Sequence, residues 1–162
     1  VQRIRNLDTR TSPQKDKVYL FSGILVCGCC GSRMVRKTNR YKDKEYHYYY
    51  CPTGKKNGCA HPVMVKENEL MECVRDSLKG FIANVVSLDE ILSGINRSER
   101  NRWIENFKRF SDLEELDRKA VIQLVQVITV LGKDELQIQF NYQDEYEKAI
   151  ALIAPVQERM VV

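Results

Sequence analysis

The sequence predicts an α+β fold: a compact domain of helices and a small β-sheet that carries a metal-tied β-ribbon. Three observations predict it. Four cysteines fall as C-x2-C (Cys27, Cys30) and, twenty residues on, as C-x7-C (Cys51, Cys59). A run of aromatics, Tyr46-His47-Tyr48-Tyr49-Tyr50, stands directly before the second pair, and such residues favour strands. From Lys66 onward the apolar residues change to helical spacing.

Residues 1–17 hold Arg3, Arg5, Arg10, Lys15 and Lys17 without an apolar repeat and read as a basic tether. The apolar run Leu20–Val26 leads into Cys27 as a strand or staple. Residues 33–40 and 45–50 read as two strands joined near 39–44. Alternation sets Tyr46, Tyr48 and Tyr50 on one face and His47 and Tyr49 on the other, with Tyr48 and Tyr50 expected to fill the ribbon core. Residues 52–62 form the loop that holds the second cysteine pair.

Leu70, Val74, Leu78, Phe81, Ile82 and Val85 predict a helix beginning near Glu67 or Asn68. Its signal weakens after 87, and 93–98 reads as a turn or linker. A second helix is expected over 99–110, with Trp103, Ile104, Phe107 and Phe110 inward. A third is expected to start at Ser111-Asp112, capped by Asp112, and to carry Leu113, Leu116, Val121, Leu124 and Val125. Residues 127–131 and 136–142 predict a hairpin around Gly132, and Ile150 and Ile153 predict a helical tail. The expected organisation is a linker over 1–17, the ribbon over 18–66, the helical and hairpin remainder of the same domain over 67–147, and the tail over 148–162.

The 162 residues suit one ordinary domain or two small ones, and a 43% hydrophobic content allows a real core. No apolar run approaches the roughly 20 residues of a membrane span. No signal-peptide pattern is present, so a reducing cytosol is expected, where thiolates are available for metal. The chain begins at Val1 without Met and reads as a fragment of something longer.

Charge divides the chain. Residues 1–66 carry 14 Lys+Arg against 4 Asp+Glu, a net of +10, and residues 67–162 carry a net of −6. Such asymmetry points to a polyanion contacted by one half, and nucleic acid fits better than a membrane.

The knuckle Cys27-Gly28-Cys29-Cys30-Gly31 separates its first and last thiols by three residues, the spacing of a structural zinc site, and Gly31 is free to take a positive φ. Cys27, Cys30, Cys51 and Cys59 are therefore the expected ligands of one structural Zn2+. His47 and His61 are the alternatives for one position, Cys29 should point away, and Cys73 reads as a buried thiol. Four protein ligands leave no open coordination position, so the metal should build structure rather than run chemistry. His-Glu-x-x-His, the deaminase pattern and phosphate-cradling glycine loops are all absent, and two histidines give a hydrolytic triad little material. The basic residues around the ribbon carry the functional expectation: Arg33, Arg36, Lys37, Arg40, Lys42 and Lys44 at the hairpin, with Lys55 and Lys56 in the loop between the second cysteines. Such a hairpin can set cations on phosphates and one or two arginines on guanine edges.

The run Leu20–Met34 through the knuckle, then Tyr48-Tyr49-Tyr50-Cys51 and Cys59, resembles the zinc-ribbon domain of large serine recombinases, the phage integrases and transposon recombinases of bacteria. Trp103-Ile104-Glu105-Asn106-Phe107, Leu116-Asp117-Arg118 and Phe140–Tyr146 are similar to later parts of that domain. The resemblance implies binding to one half of a double-stranded attachment site, a DNA-tracking linker at 1–17 that includes Arg3, Arg5 and Arg10, and a nucleophilic serine in a separate domain. It implies a DNA-binding piece, not an enzyme by itself, that works with other recombinase subunits in the bacterial cytoplasm, at the nucleoid when bound. The family carries a long antiparallel coiled coil here. Residues 86–102 are too few for one, which predicts a chain unable to support synapsis through such a coil. The alternatives are a zinc-stabilised protein-interaction module, with Ile150, Ile153 and Val156 as its surface, and an RNA-binding ribbon.

Overall fold

A computed structural model describes residues 18–56, 58–94, 101–133 and 135–159. Residues 1–17, and with them the expected linker and Arg3, Arg5 and Arg10, lie outside the described residues.

The fold is α+β, with two three-stranded sheets and four helices among the described residues. The ribbon sheet joins β2 (Val35–Tyr41), β3 (Lys44–Tyr50) and β4 (Met64–Lys66), all antiparallel. Its register runs from Val35 opposite Tyr50 to Tyr41 opposite Lys44, and β4 reaches only Tyr48–Tyr50. Lys42 turns the hairpin at φ 52°.

The second sheet has the order β1-β5-β6. Here β1 (Leu25–Cys27) runs parallel to β5 (Val125–Val130), and β6 (Leu136–Phe140) closes the hairpin predicted around Gly132. The strand that leads into the first cysteine thus joins the C-terminal hairpin and not the ribbon sheet. Gly28 permits this junction. Its N–H donates to the Val130 carbonyl at 2.8 Å, and a Cβ there would sit 2.6 Å from Leu131 Cδ2.

Helix α1 (Glu67–Gly94) starts directly after β4, with Glu67 and Glu69 at the positive end of its dipole. Leu70, Val74, Leu78, Ile82, Val85, Leu88 and Leu92 form one buried stripe. The helix therefore passes through residues 87–94, where a weak signal was expected: Leu88 and Leu92 continue the stripe despite Ser87, Asp89, Glu90 and Ser93 between them. The rest of the expected linker, 95–98, lies outside the described residues. With α2 (Arg102–Lys108) beginning so soon after Gly94, the interval is too short for a pair of long helices.

Trp103, Ile104 and Phe107 are buried on α2, as the spacing predicted. The third helix departs from expectation. α3 (Arg118–Leu124) starts seven residues after Ser111, capped by Asp117, whose Oδ1 accepts from the Ala120 N–H at 2.7 Å. Residues 109–113 instead continue α2 as tight turns, bonded Phe110 N–H to Phe107 O and Leu113 N–H to Phe110 O. Val125, expected in that helix, begins β5. Helix α4 (Gln143–Arg159) then packs on α1 through Ala149 and Ile153. Phe81 of α1 joins these pieces: it stacks on Phe140 at 4.3 Å and meets Phe107 at 5.2 Å and Tyr146 at 5.0 Å. Cys73, expected to be buried, is exposed, because it precedes core Val74 by one position and faces outward.

Arg118 ties the N-terminal turn to this body. Its guanidinium donates to the carbonyls of Tyr19 (2.6 Å), Leu20 (3.0 Å) and Ser22 (3.2 Å). Arg118→Ala leaves those acceptors without their donor and is expected to lower stability by about 1–3 kcal/mol. A urea midpoint that does not move would contradict that role.

Candidate functional site

Cys27 ends β1, Cys30 lies in the turn after it, Cys51 follows β3, and Cys59 lies in the loop beyond a 3-10 turn at Pro52–Lys56. The knuckle closes by Gly31 N–H to Cys27 O (2.8 Å) and Cys27 N–H to Ser32 O (2.9 Å), with Gly31 at φ 68°. In the second loop Gly54 lies so close to Pro62 that any Cβ there would strike the proline ring.

These two turns bring the four sulfurs within 4.8 Å of one another. Cys27 Sγ is 3.8 Å from Cys59 Sγ, and Cys30 Sγ is 3.5 Å from Cys51 Sγ. All are free thiols. A tetrahedron with metal–sulfur distances of about 2.3 Å has edges of about 3.8 Å, so the sulfurs already stand where a zinc ion needs them. Cys27, Cys51 and Cys59 are buried and Cys30 is half-buried. Thr53 Oγ1 lies 3.1 Å from Cys30 Sγ and 3.0 Å from Cys51 Sγ, in the place of an outer-shell partner.

The histidine alternatives fall elsewhere. His47 Nδ1 bonds Thr38 Oγ1 at 3.0 Å on the hairpin, and His61 is exposed and outside the cluster. Exposed Cys29 is also outside it.

The thiols are electrostatically unequal. Hydrogen bonds from Ser32 and then Thr53 lower Cys30 to about 5. Burial first, and hydrogen bonding with the other cysteines next, push the Cys59 thiol up. Bringing four thiolates into contact requires a compensating cation, and a divalent one answers both their mutual repulsion and their burial.

The ribbon stands on this cluster and is anchored to α1 by a largely buried ion pair, with an exposed one between Lys66 and Glu69 beside it. Arg36 Nε and Nη2 each lie 2.6 Å from a carboxylate oxygen of Glu67, and both side chains are 12% exposed. The Tyr49 hydroxyl donates to Glu67 Oε1 at 3.3 Å, and the Arg36 guanidinium lies 4.1 Å from the Tyr19 ring centre. Burial works to raise the Glu67 carboxyl, but the hydrogen bonds and charge of Arg36 overcome it and leave it below its ordinary value.

The expected contact residues divide accordingly. Arg36, taken from sequence as a phosphate or base contact, is committed to Glu67 inside the fold. Lys37, Lys42 and Lys44 are exposed on the hairpin. Arg40 is exposed and pairs with Glu45 at 2.6 Å. Exposed Arg33 lies beside the knuckle, bridged to Val26. The backbone of Lys55 and Lys56 lies in the 3-10 turn. The core tyrosine is Tyr49, 1% exposed and edge-on to Phe21 at 5.9 Å, while Tyr48 and Tyr50 are only half-buried. Alternation placed the faces correctly, but which face is buried was decided by α1 and Phe21 packing on the Tyr49 side. No local sequence pattern marks Tyr19 or Arg118 as an anchor. The only sequence signal for Glu67 was its place at a helix start.

Comparison with known proteins bears on this site. Residues 20–79 match the family model described as "Recombinase zinc beta ribbon domain". A curated protein of Bacillus subtilis (strain 168), described as "Putative DNA recombinase", is 27% identical over 124 residues, which are 74% of this chain and 24% of that protein. The chain thus spans about a quarter of that relative's length. A solved structure titled "Crystal Structure of a LSR-DNA Complex" overlays with a TM-score of 0.49 at 17% identity, covering 85% of this chain and 60% of that one.

Proposed function

We propose that this chain, whose residues 20–79 match the recombinase zinc beta ribbon domain model, is a duplex-DNA-binding domain of a site-specific serine recombinase that recognises one half of an attachment site. The observation that carries this reading is the hairpin. Beyond the reach of β4, the pairs Thr38–His47 to Tyr41–Lys44 project as a two-stranded ribbon within the half of the chain that bears +10. A two-stranded ribbon fits a major groove about 12 Å wide.

Cys27, Cys30, Cys51 and Cys59 hold one structural zinc in this reading. When bound, the ion cross-links the two turns beneath the hairpin. Lys37, Lys42, Lys44, Lys55 and Lys56, with Arg33, supply the phosphate-facing charge, and Arg3, Arg5 and Arg10 extend it along the DNA before the domain. Strand cleavage belongs to a serine in another domain of the parent recombinase, whose other subunits are the remaining partners. No described helix is long and apolar enough to cross a membrane. The place of action is the bacterial cytoplasm, at the nucleoid.

The test is titration of the zinc-loaded chain against short duplexes at two salt concentrations. Binding whose logarithm falls linearly with log salt, by about 0.9 per phosphate neutralised, is expected. A chain that ignores duplex at low ionic strength rules the reading out.

A protein-interaction module is supported by a groove of about 230 Å³ between α1 and α4, lined by Leu88, Ile91, Tyr146 and Ile150. Ile153, expected on that surface, lines the floor of the groove at 3% exposure and also belongs to the core. The side chain of Val156 lies outside the described residues.

A further inference from the structure

The register of the ribbon sorts its side chains onto two faces, since residues alternate along a strand and cross-strand partners share a side. One face holds Arg36, Thr38 and Arg40 opposite Tyr49, His47 and Glu45. Every one of its polar groups is already engaged: Arg36 with Glu67, Thr38 with His47, Arg40 with Glu45. The other face holds Lys37, Asn39 and Tyr41 opposite Tyr48, Tyr46 and Lys44. Neither strand contributes an acidic side chain to it, and among the described residues Lys37 and Lys44 make no ion pair.

This second face is open and partly apolar. Tyr41 is 66% exposed and Tyr46 50%, and Val35 and Met64 are exposed at the other end of the same face, opposite Tyr50. Large apolar groups gathered on one surface mark a place that something covers. Cations held in no ion pair among such groups point to a polyanion as the covering partner. Lys37 and Lys44 lie on different strands and flank Asn39 and Tyr46 along the hairpin. Four residue pairs project beyond β4, roughly 13 Å at about 3.3 Å a residue, enough to reach the floor of a groove about 8.5 Å deep.

We infer that the lysine–asparagine–tyrosine face, and not the arginine face, meets the duplex: Lys37 and Lys44 take phosphates on either side of the groove, Asn39 reads a base edge, and the Tyr46 ring covers the backbone beside it. Asparagine can bond both the acceptor and the donor that adenine presents in the major groove. This rests on the DNA-binding reading above and names the surface that performs it.

The experiment compares the zinc-loaded chain with K37A/K44A, N39A and R40A, the last substituting an exposed cation on the opposite face. Zinc content and circular dichroism confirm that each variant is folded. The probes are a random-sequence duplex and the duplex that the parent chain enriches from a random pool. K37A/K44A should weaken binding to both about tenfold or more and reduce the slope against log salt by about 2. N39A should keep affinity for the random duplex and lose discrimination between the two. R40A should change each by less than a factor of about three. If K37A/K44A keeps the parent's affinity and slope while R40A loses them, the face is wrong and DNA binding stands. If the parent chain binds neither duplex, or prefers single strands, the function itself fails along with the face.

Discussion

Removing the zinc ion proposed for Cys27, Cys30, Cys51 and Cys59 is expected to open the ribbon while leaving the helical body folded. Zinc binding to small structural sites is worth about 10–16 kcal/mol at neutral pH, which is folding free energy where the site does not exist without metal. The ribbon has little else. Its outer hairpin pairs expose both faces, and among its strand residues only Tyr49 and Val65 are buried. The body differs, because the α1 stripe, Trp103, Ile104, Phe107, Val121, Leu124 and Ile128 supply a large apolar core in addition to the buried cysteines. Amide hydrogen exchange reads this directly. In the chelated protein β2–β4 and the 52–62 loop should lose protection, while central α1 and β5 keep theirs. Cys59→Ser should reproduce the pattern without a chelator. Unchanged protection in the ribbon after metal removal would show that the four thiols cluster for some other reason.

Breaking the Arg36–Glu67 pair is expected to cost about 3 kcal/mol, the low end for a buried ion pair because each side chain keeps some contact with water. Arg36→Met strands a carboxylate among Tyr49 and the ribbon core, and Glu67→Leu strands a guanidinium. The double variant Arg36→Met/Glu67→Leu should recover most of the loss, since well-packed apolar substitutes for buried pairs are often neutral. The pH dependence follows from the same pair. The folded Glu67 carboxyl is held below its ordinary value, so its contribution is complete above the unfolded pKa of about 4.3 and fades as pH falls through the lower folded one. The parent protein should therefore lose stability below about pH 4 more steeply than the double variant does. Parallel denaturant midpoints across that range would count against this assignment. The outcome also bears on function, since an Arg36 substitution that weakens DNA binding would do so by loosening the ribbon from α1.

Much of this was legible because it is local. The knuckle spacing and Gly31 announce the metal turn, and the period of two through Tyr46–Tyr50 announces a strand. Leu70 to Val85 at helical spacing announce α1. Where local signals misled, a neighbour distant in sequence was responsible. Asp112 is as good a capping residue as Asp117, but tight turns after Phe107 carry the chain past it. Leu88 and Leu92 looked too sparse for a helix until α4 and α2 supplied the surfaces that bury them.

Cysteine spacing, strand alternation and helical period come from covalent connectivity, so the sequence alone determined that a cationic ribbon is tied by four thiols and followed by a long amphipathic helix. Tertiary structure alone decided that β1 pairs with β5, that Tyr49 is the buried tyrosine, and that Arg36 is consumed by Glu67, 31 residues away. Each of those outcomes depends on which of several chemically equivalent residues meets a partner far along the chain. Burial and pairing energy choose among them only once the chain has folded.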